Sequence, residues 1–196
     1  MVEDHGQIYR DAFARYGESP QALHWWDYVS MATRFKQLVL DLDIKDKTIL
    51  DAGCGTGDLL PFLYMKADNF KYLGMDVNPD FIDIAKKRYE GHQFLIGDPF
   101  FGKIGQKFDV VISSGVMNVY VKDWMQQRQQ MIKSLFQLTN EVLAFNMAGS
   151  FNSESPDDVI AYADTQKVLD YCLNLTSRII LRHHYNKRDF TIVMFK

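Results

Sequence analysis

Short apolar runs alternate with amphipathic stretches through the middle of the chain. Four runs, KTILDAG (47–53), KYLGMDV (71–77), HQFLIGD (92–98) and FDVVISS (108–114), are rich in β-branched or aromatic residues and end at Gly, Asp or Ser. That is the pattern of strands buried on both faces, and EVLAFNMA (141–148) repeats it. Between the runs the apolar spacing turns helical. Leu59, Phe62 and Leu63 follow the first run, and Phe81, Ile82 and Ala85 follow the second, opened by Asn78 as a cap and Pro79 at the first helical position. A longer helix is predicted from Asp123 to Thr139, with Trp124, Met131, Leu135 and Leu138 on one face. Strands alternating with helices predict a parallel sheet covered on both sides and joined by right-handed crossovers.

The two ends break this alternation. Residues 7–42 predict two helices, with Ile8, Ala12 and Tyr16 on the first and Met31, Phe35, Leu38, Val39 and Leu42 on the second. Ser19 is the expected cap between them, with Pro20 following. This makes residues 1–43 an N-terminal helical cover and residues 44–148 the core. Beyond it, GSFNSESPDD (149–158) predicts a polar loop, a substrate lid or an ordinary surface loop, with Ser155 capping the next helix and Pro156 beginning it. The last run, RIILRHHYNKRDFTIVMFK (178–196), reads as an antiparallel hairpin around NKRD. The expectation is one α/β domain over residues 1–196: a mostly parallel seven-stranded sheet with an antiparallel C-terminal hairpin strand and helices on both faces.

Composition narrows the function classes. At 47% hydrophobic and 24% charged residues the chain has globular rather than disordered character. A net charge of -3 lacks the basic footprint that direct nucleic-acid binding needs, and the clusters Lys86, Lys87, Arg88 and Lys187, Arg188 read as solvated faces. Cys54 and Cys172 are too far apart in sequence for a zinc spacing or a disulfide framework, so no metal site is expected and a reducing compartment fits. No apolar leader and no membrane-spanning run is seen, which predicts a cytoplasmic protein without a membrane partner.

Chemistry concentrates in LDAGCGTGDLL (50–60), which joins the first strand to the first core helix. The dinucleotide fingerprint G-x-G-x-x-G fails here, since Gly53 and Gly55 are followed by Asp58 where a third glycine belongs. An acid there opposes a pyrophosphate, because like charges about 4 Å apart at an effective dielectric of about 20 repel by roughly 4 kcal/mol. No Gly-Lys-Ser/Thr follows, which excludes a Walker-type loop.

The spacing D-x-G-x-G-x-G, at Asp51, Gly53, Gly55 and Gly57, resembles the first motif of class I S-adenosylmethionine-dependent methyltransferases. The resemblance covers roughly residues 45–148, and the ends only in outline, and implies a Rossmann-like class I methyltransferase fold. It implies that Asp51, Ala52, Gly53, Cys54, Gly55 and Gly57 surround the amino-acid tail of S-adenosyl-L-methionine. It further implies that Asp76 takes the ribose hydroxyls with Val77 beside the adenine, and that Asp98 and Pro99 meet the adenine edge. Ser114 and Gly115, in SSGVMN, would line the methionine half. Family members commonly fold an N-terminal helix over the cofactor, which makes Trp26 and Arg34 candidates, the latter for the carboxylate. Packed tryptophans and a solvent-facing Arg34 are the alternative.

Methyl transfer is an in-line displacement that needs alignment and, for some acceptors, a base. Asn118, Tyr120, Asn146, His183 and His184 are the candidates near the carboxyl ends of the strands. Since strand side chains alternate, at most one of the two histidines can face the cleft. The signature N-P-P-Y/F of adenine methylation is absent, and acidic balance with short insertions favours a small-molecule acceptor. The alternatives are an RNA or protein methyltransferase acting with a partner, a non-catalytic S-adenosylmethionine-binding subunit, and a nicotinamide oxidoreductase. Oligomeric state is not legible.

Overall fold

The computed structural model describes residues 11–12, 14–17, 27–120, 122–151 and 160–196, and the backbone at 155–156. Trp26 and the expected Ser19–Pro20 cap lie outside the described residues. Residues 11–12 and 14–16 are helical. The helix of the cover that is described, α1 (Tyr28–Val39), is capped by Asp27, whose carboxylate accepts from Ser30 N at 2.7 Å. Its face Met31, Phe35, Leu38 and Val39 is buried as the spacing predicts.

The core then follows as β1 (Thr48–Ala52), α2 (Leu60–Tyr64), β2 (Lys71–Asp76), α3 (Pro79–Arg88), β3 (Gln93–Ile96), β4 (Phe108–Ser114), α4 (Trp124–Leu138) and β5 (Thr139–Ser150). After it come β6 (Ser155–Pro156), β7 (Ala161–Asp164), α5 (Thr165–Leu173), β8 (Ile179–Arg182) and β9 (Asp189–Phe195). Strands β1 to β5 are parallel in the order β3-β2-β1-β4-β5; β9 runs antiparallel beside β5 and β8 antiparallel beside β9. The central strands feed both faces of the sheet: in β1, Ile49 belongs to the core cluster that holds Phe35, Leu38 and Leu63, whereas Leu50 belongs to the one that holds Val111, Leu135 and Phe145.

Three expectations need correction. Among the described residues the sheet has nine strands rather than seven, because β5 continues past β9 and its last residues, Gly149 and Ser150, pair with Ala163 and Asp164 of β7. Ser155 and Pro156 do not open a helix. They form β6, which pairs antiparallel with β7, an edge position where a proline's missing N–H is tolerated. The helix begins later, at Thr165, capped by Asp164 whose Oδ1 accepts from Gln166 N at 2.9 Å. The buried face of α4 is Arg128, Ile132, Leu135 and Phe136; Leu135 was expected there, while Trp124 and Met131 turn toward a cavity and Leu138 is only partly covered.

Candidate active site

The strand order reverses between β1 and β4, and open α/β sheets bind ligands at that switch point beyond the carboxyl ends of the strands. A cavity of about 610 Å³ lies there. That size is within the range of small-ligand sites, roughly 300–1,000 Å³.

The glycine turn forms one wall. Gly53 and Cys54 donate their N–H groups to Met75 O at 2.8 and 3.1 Å, and Gly55 donates to Asp76 Oδ2 at 3.0 Å. These amides therefore tie β1 to β2 and are not free to cradle a phosphate. Helix α2, which follows, is only 5 residues long. Gly53 and Gly57 have φ of +79° and +84°, and a Cβ on Gly53 would sit 2.1 Å from Val116 Cγ2. Both positions need glycine, for conformation and for close approach.

Three acids end successive strands around the cavity. Asp51 is 2% exposed and accepts from Tyr72 OH at 2.7 Å. Burial pushes its carboxyl up to about 7, against the pull of the Tyr72 hydrogen bond, with the Asp76 and Asp58 charges adding to the rise. Asp76 accepts from Gly55 N and, through Oδ1, from Asn78 N at 2.9 Å; burial raises its carboxyl despite these bonds. Two oxygens offer about four acceptor positions, so capacity remains for hydroxyl donors. Asp98 Oδ1 accepts from Phe100 N and Phe101 N at 2.8 and 3.1 Å, which turns the segment after β3 over the cavity. Asp58 is held by Arg88 Nη1 at 3.2 Å and by the Thr56 hydroxyl at 2.6 Å.

Of the cofactor residues expected from the sequence, Asp51, Gly53, Cys54, Gly55, Asp76 and Val77 line the cavity, as do Asp98, Pro99, Ser114, Gly115 and Arg34. Ala52 is fully buried and Gly57 lies behind the wall against Tyr89. Arg34 is engaged by Asp189 through Nε and donates from Nη1 to Ser30 Oγ at 3.0 Å. Burial raises the Asp189 carboxyl to about 6, with the Arg34 charge opposing.

The base candidates fare differently. Asn118 lines the cavity, but its Oδ1 accepts from Ala148 N at 2.7 Å, and an amide does not take a proton near neutrality. Asn146 is buried and holds Gly115 N at 3.0 Å, fixing the turn after β4. Tyr120 is 40% exposed and outside the lining. Strand β8 stops at Arg182, so the alternation argument does not reach His183 and His184. His183 packs on Phe151, His184 meets Tyr185, and neither lines the cavity. Among the described residues no histidine lines it and no cluster fits a metal ion.

The sequence reading missed Phe100 and Phe101 beside Asp98, Tyr162 on β7, and Arg128. Arg128 had a legible signal, since it falls four residues from Trp124 and from Ile132 on the apolar stripe of α4.

A family model for a methyltransferase domain matches residues 50–141. Rv1506c of Mycobacterium tuberculosis, a methyltransferase by name, is 29% identical over 158 residues, covering 76% of this chain and 93% of the relative. The demethylmenaquinone methyltransferase of Thermotoga maritima is 29% identical over 105 residues, 50% of this chain and 44% of that protein. In fold the chain is similar to the magnesium protoporphyrin IX methyltransferase of Synechocystis PCC 6803, solved with bound S-adenosylmethionine (TM-score 0.66, 18% identity, 97% of each chain covered). With the acids at the ends of β1, β2 and β3 and a glycine turn that offers no phosphate cradle, these likenesses agree: residues 50–141 match a methyltransferase domain, and the fold is that of the class I S-adenosylmethionine-dependent methyltransferases.

Proposed function

We propose that the protein transfers a methyl group from S-adenosylmethionine to a small-molecule acceptor. The observation that carries this reading is the lining of the cavity: besides the acids at the strand ends it includes an apolar set, Met117, Val119, Trp124, Met131, Ile160 and Tyr162, which in this reading is the acceptor chamber. Strand β7, paired to the end of β5, contributes Tyr162 to that wall. An apolar, walled chamber suits a compact acceptor better than a nucleic acid, and a net charge of -3 agrees.

In this reading Asp76 holds the ribose hydroxyls, Asp98 and the Phe100–Phe101 segment meet the adenine, and Asp51 faces the ammonium of the amino-acid tail. Bound there, S-adenosylmethionine supplies an electrophilic methyl on a sulfonium. The chain's own part is to align and desolvate the acceptor within about 3–3.5 Å of that carbon. Asn118 and Asn146 act as struts for the turn after β4.

The small-acceptor reading resembles what the relatives' names say of their own acceptors, a demethylmenaquinone and a magnesium protoporphyrin. Incubation with methyl-labelled cofactor and a metabolite extract passed through a membrane that retains macromolecules tests it. Label transferred to a filtrate component is expected. Label found only on retained protein or RNA would overturn the small-acceptor reading.

A further inference from the structure

Among the described residues Arg128 is buried without a counter-ion. It is 2% exposed, lies on α4 beside the chamber, and lines the cavity. Its Nη2 donates to Ala161 O at 2.5 Å and its guanidinium stacks 4.4 Å from the Trp124 ring centroid. Nε and Nη1 are enclosed and have no hydrogen-bond partner among the described residues. Burial alone pulls this group down to about 9, with no carboxylate acting to restore it. An unpaired buried cation is strongly disfavoured, and stacking on an indole does not replace the hydrogen bonds left unmade.

Charge is divided across the cavity. The lining acids Asp51, Asp58, Asp76 and Asp98 all stand at or just beyond the ends of β1, β2 and β3, where the cofactor residues gather. The cations Arg128 and Arg188 stand instead on α4 and just before β9, the latter stacked 4.3 Å from the Tyr162 ring centroid. Arg34, the remaining lining cation, already has Asp189.

Building on the methyltransferase reading, we propose that the acceptor is a carboxylate-bearing small molecule whose anionic group is received by Arg128, with Arg188 at the rim and the apolar chamber holding its body. A carboxylate supplies the acceptor oxygens that Nε and Nη1 lack, and charge-assisted bonds in a dry site are the strong ones. Arg128 thereby becomes the group that sets which acceptors are admitted, because a neutral analogue leaves it unpaired.

Calorimetric titration of the S-adenosylhomocysteine-loaded protein with acetate, benzoate and phenylacetate, and with the corresponding amides, tests this. The acids are expected to bind roughly ten- to hundredfold more tightly than their amides. Arg128→Met is expected to erase that preference while leaving affinity for S-adenosylhomocysteine unchanged. Equal affinity for acids and amides in the wild-type protein would overturn the proposal without need of any variant. So would a preference that survives Arg128→Met, or a loss of S-adenosylhomocysteine affinity in that variant, which would assign Arg128 to the cofactor's own carboxylate. Failure of the wild-type protein to bind S-adenosylhomocysteine at all would count instead against the cofactor reading.

Discussion

Replacing Asp51 by Asn should make the ligand-free protein more stable at neutral pH while weakening its hold on the cofactor. The carboxyl of Asp51 is raised from 3.8 to about 7 because it is enclosed, 2% exposed, with no cation beside it among the described residues. Between those two values the folded protein binds a proton that the unfolded chain does not. Stability is therefore full below the unfolded value and falls as pH rises toward the folded one. From the two values, the titratable carboxyl costs about 2 kcal/mol at pH 5 and about 4 kcal/mol at pH 7 relative to a group that never ionises. An amide can still accept from Tyr72 OH, so the hydrogen bond survives the exchange. Relaxation of the site reduces these figures, and a rise of roughly 4–16 °C in Tm at pH 7 corresponds to about 2–4 kcal/mol in a chain of this size. Thermal and urea unfolding of the wild-type and Asp51→Asn proteins from pH 5 to 8 reads the effect, with the gap widening as pH rises. Affinity for S-adenosylhomocysteine, measured alongside, should drop by about tenfold or more, since the ammonium loses its charged partner. A destabilised variant, or a gap that does not change with pH, would refute the claim that Asp51 is a buried carboxylate kept for a cation.

Two further outcomes follow from the same wall of the cavity. Asp76→Ala removes the acceptor assigned to two ribose hydroxyls, and charge-assisted bonds worth about 1.5–3 kcal/mol each should weaken S-adenosylhomocysteine by a hundredfold or more in calorimetry; unchanged affinity in a folded variant would show that the ribose lies elsewhere. Gly53→Ala sets a Cβ 2.1 Å from Val116 Cγ2 at a φ of +79°. The left-handed backbone alone costs about 1–3 kcal/mol, so urea unfolding should show a loss that Val116→Ala recovers only in part, and wild-type stability would contradict the close approach.

Much of the architecture was legible because parallel strands buried on both faces leave continuous apolar runs. All five predicted strands of the core form, and Asn78 caps α3 with its side chain accepting from Asp80 N. The acids Asp51, Asp76 and Asp98 could be placed because each directly follows or ends such a run. What escaped has physical reasons. A two-residue strand such as β6 has no period to detect, and Ser155–Pro156 carries the same local chemistry as a helix start. The histidines were placed by extending a strand that β8 ends at Arg182. Arg128 was passed over because an arginine on an apolar helical stripe reads as an interruption of the pattern, although its stem and stacked guanidinium complete the packing. The carboxylate of Asp189 that engages Arg34 is 155 positions away in sequence, where no local pattern reaches.

The way the turn after β1 is tied down bears on the thermodynamics of cofactor capture. With Gly53, Cys54 and Gly55 amides bonded to Met75 O and Asp76 Oδ2, the segment is ordered by folding itself. Fixing a residue's backbone costs about 1–2 kcal/mol, so some 3–6 kcal/mol of ordering at these three positions is met before any ligand arrives. Amide exchange at these three residues should then be as slow in the empty protein as in the adjoining strand, and S-adenosylmethionine meets a surface already in shape.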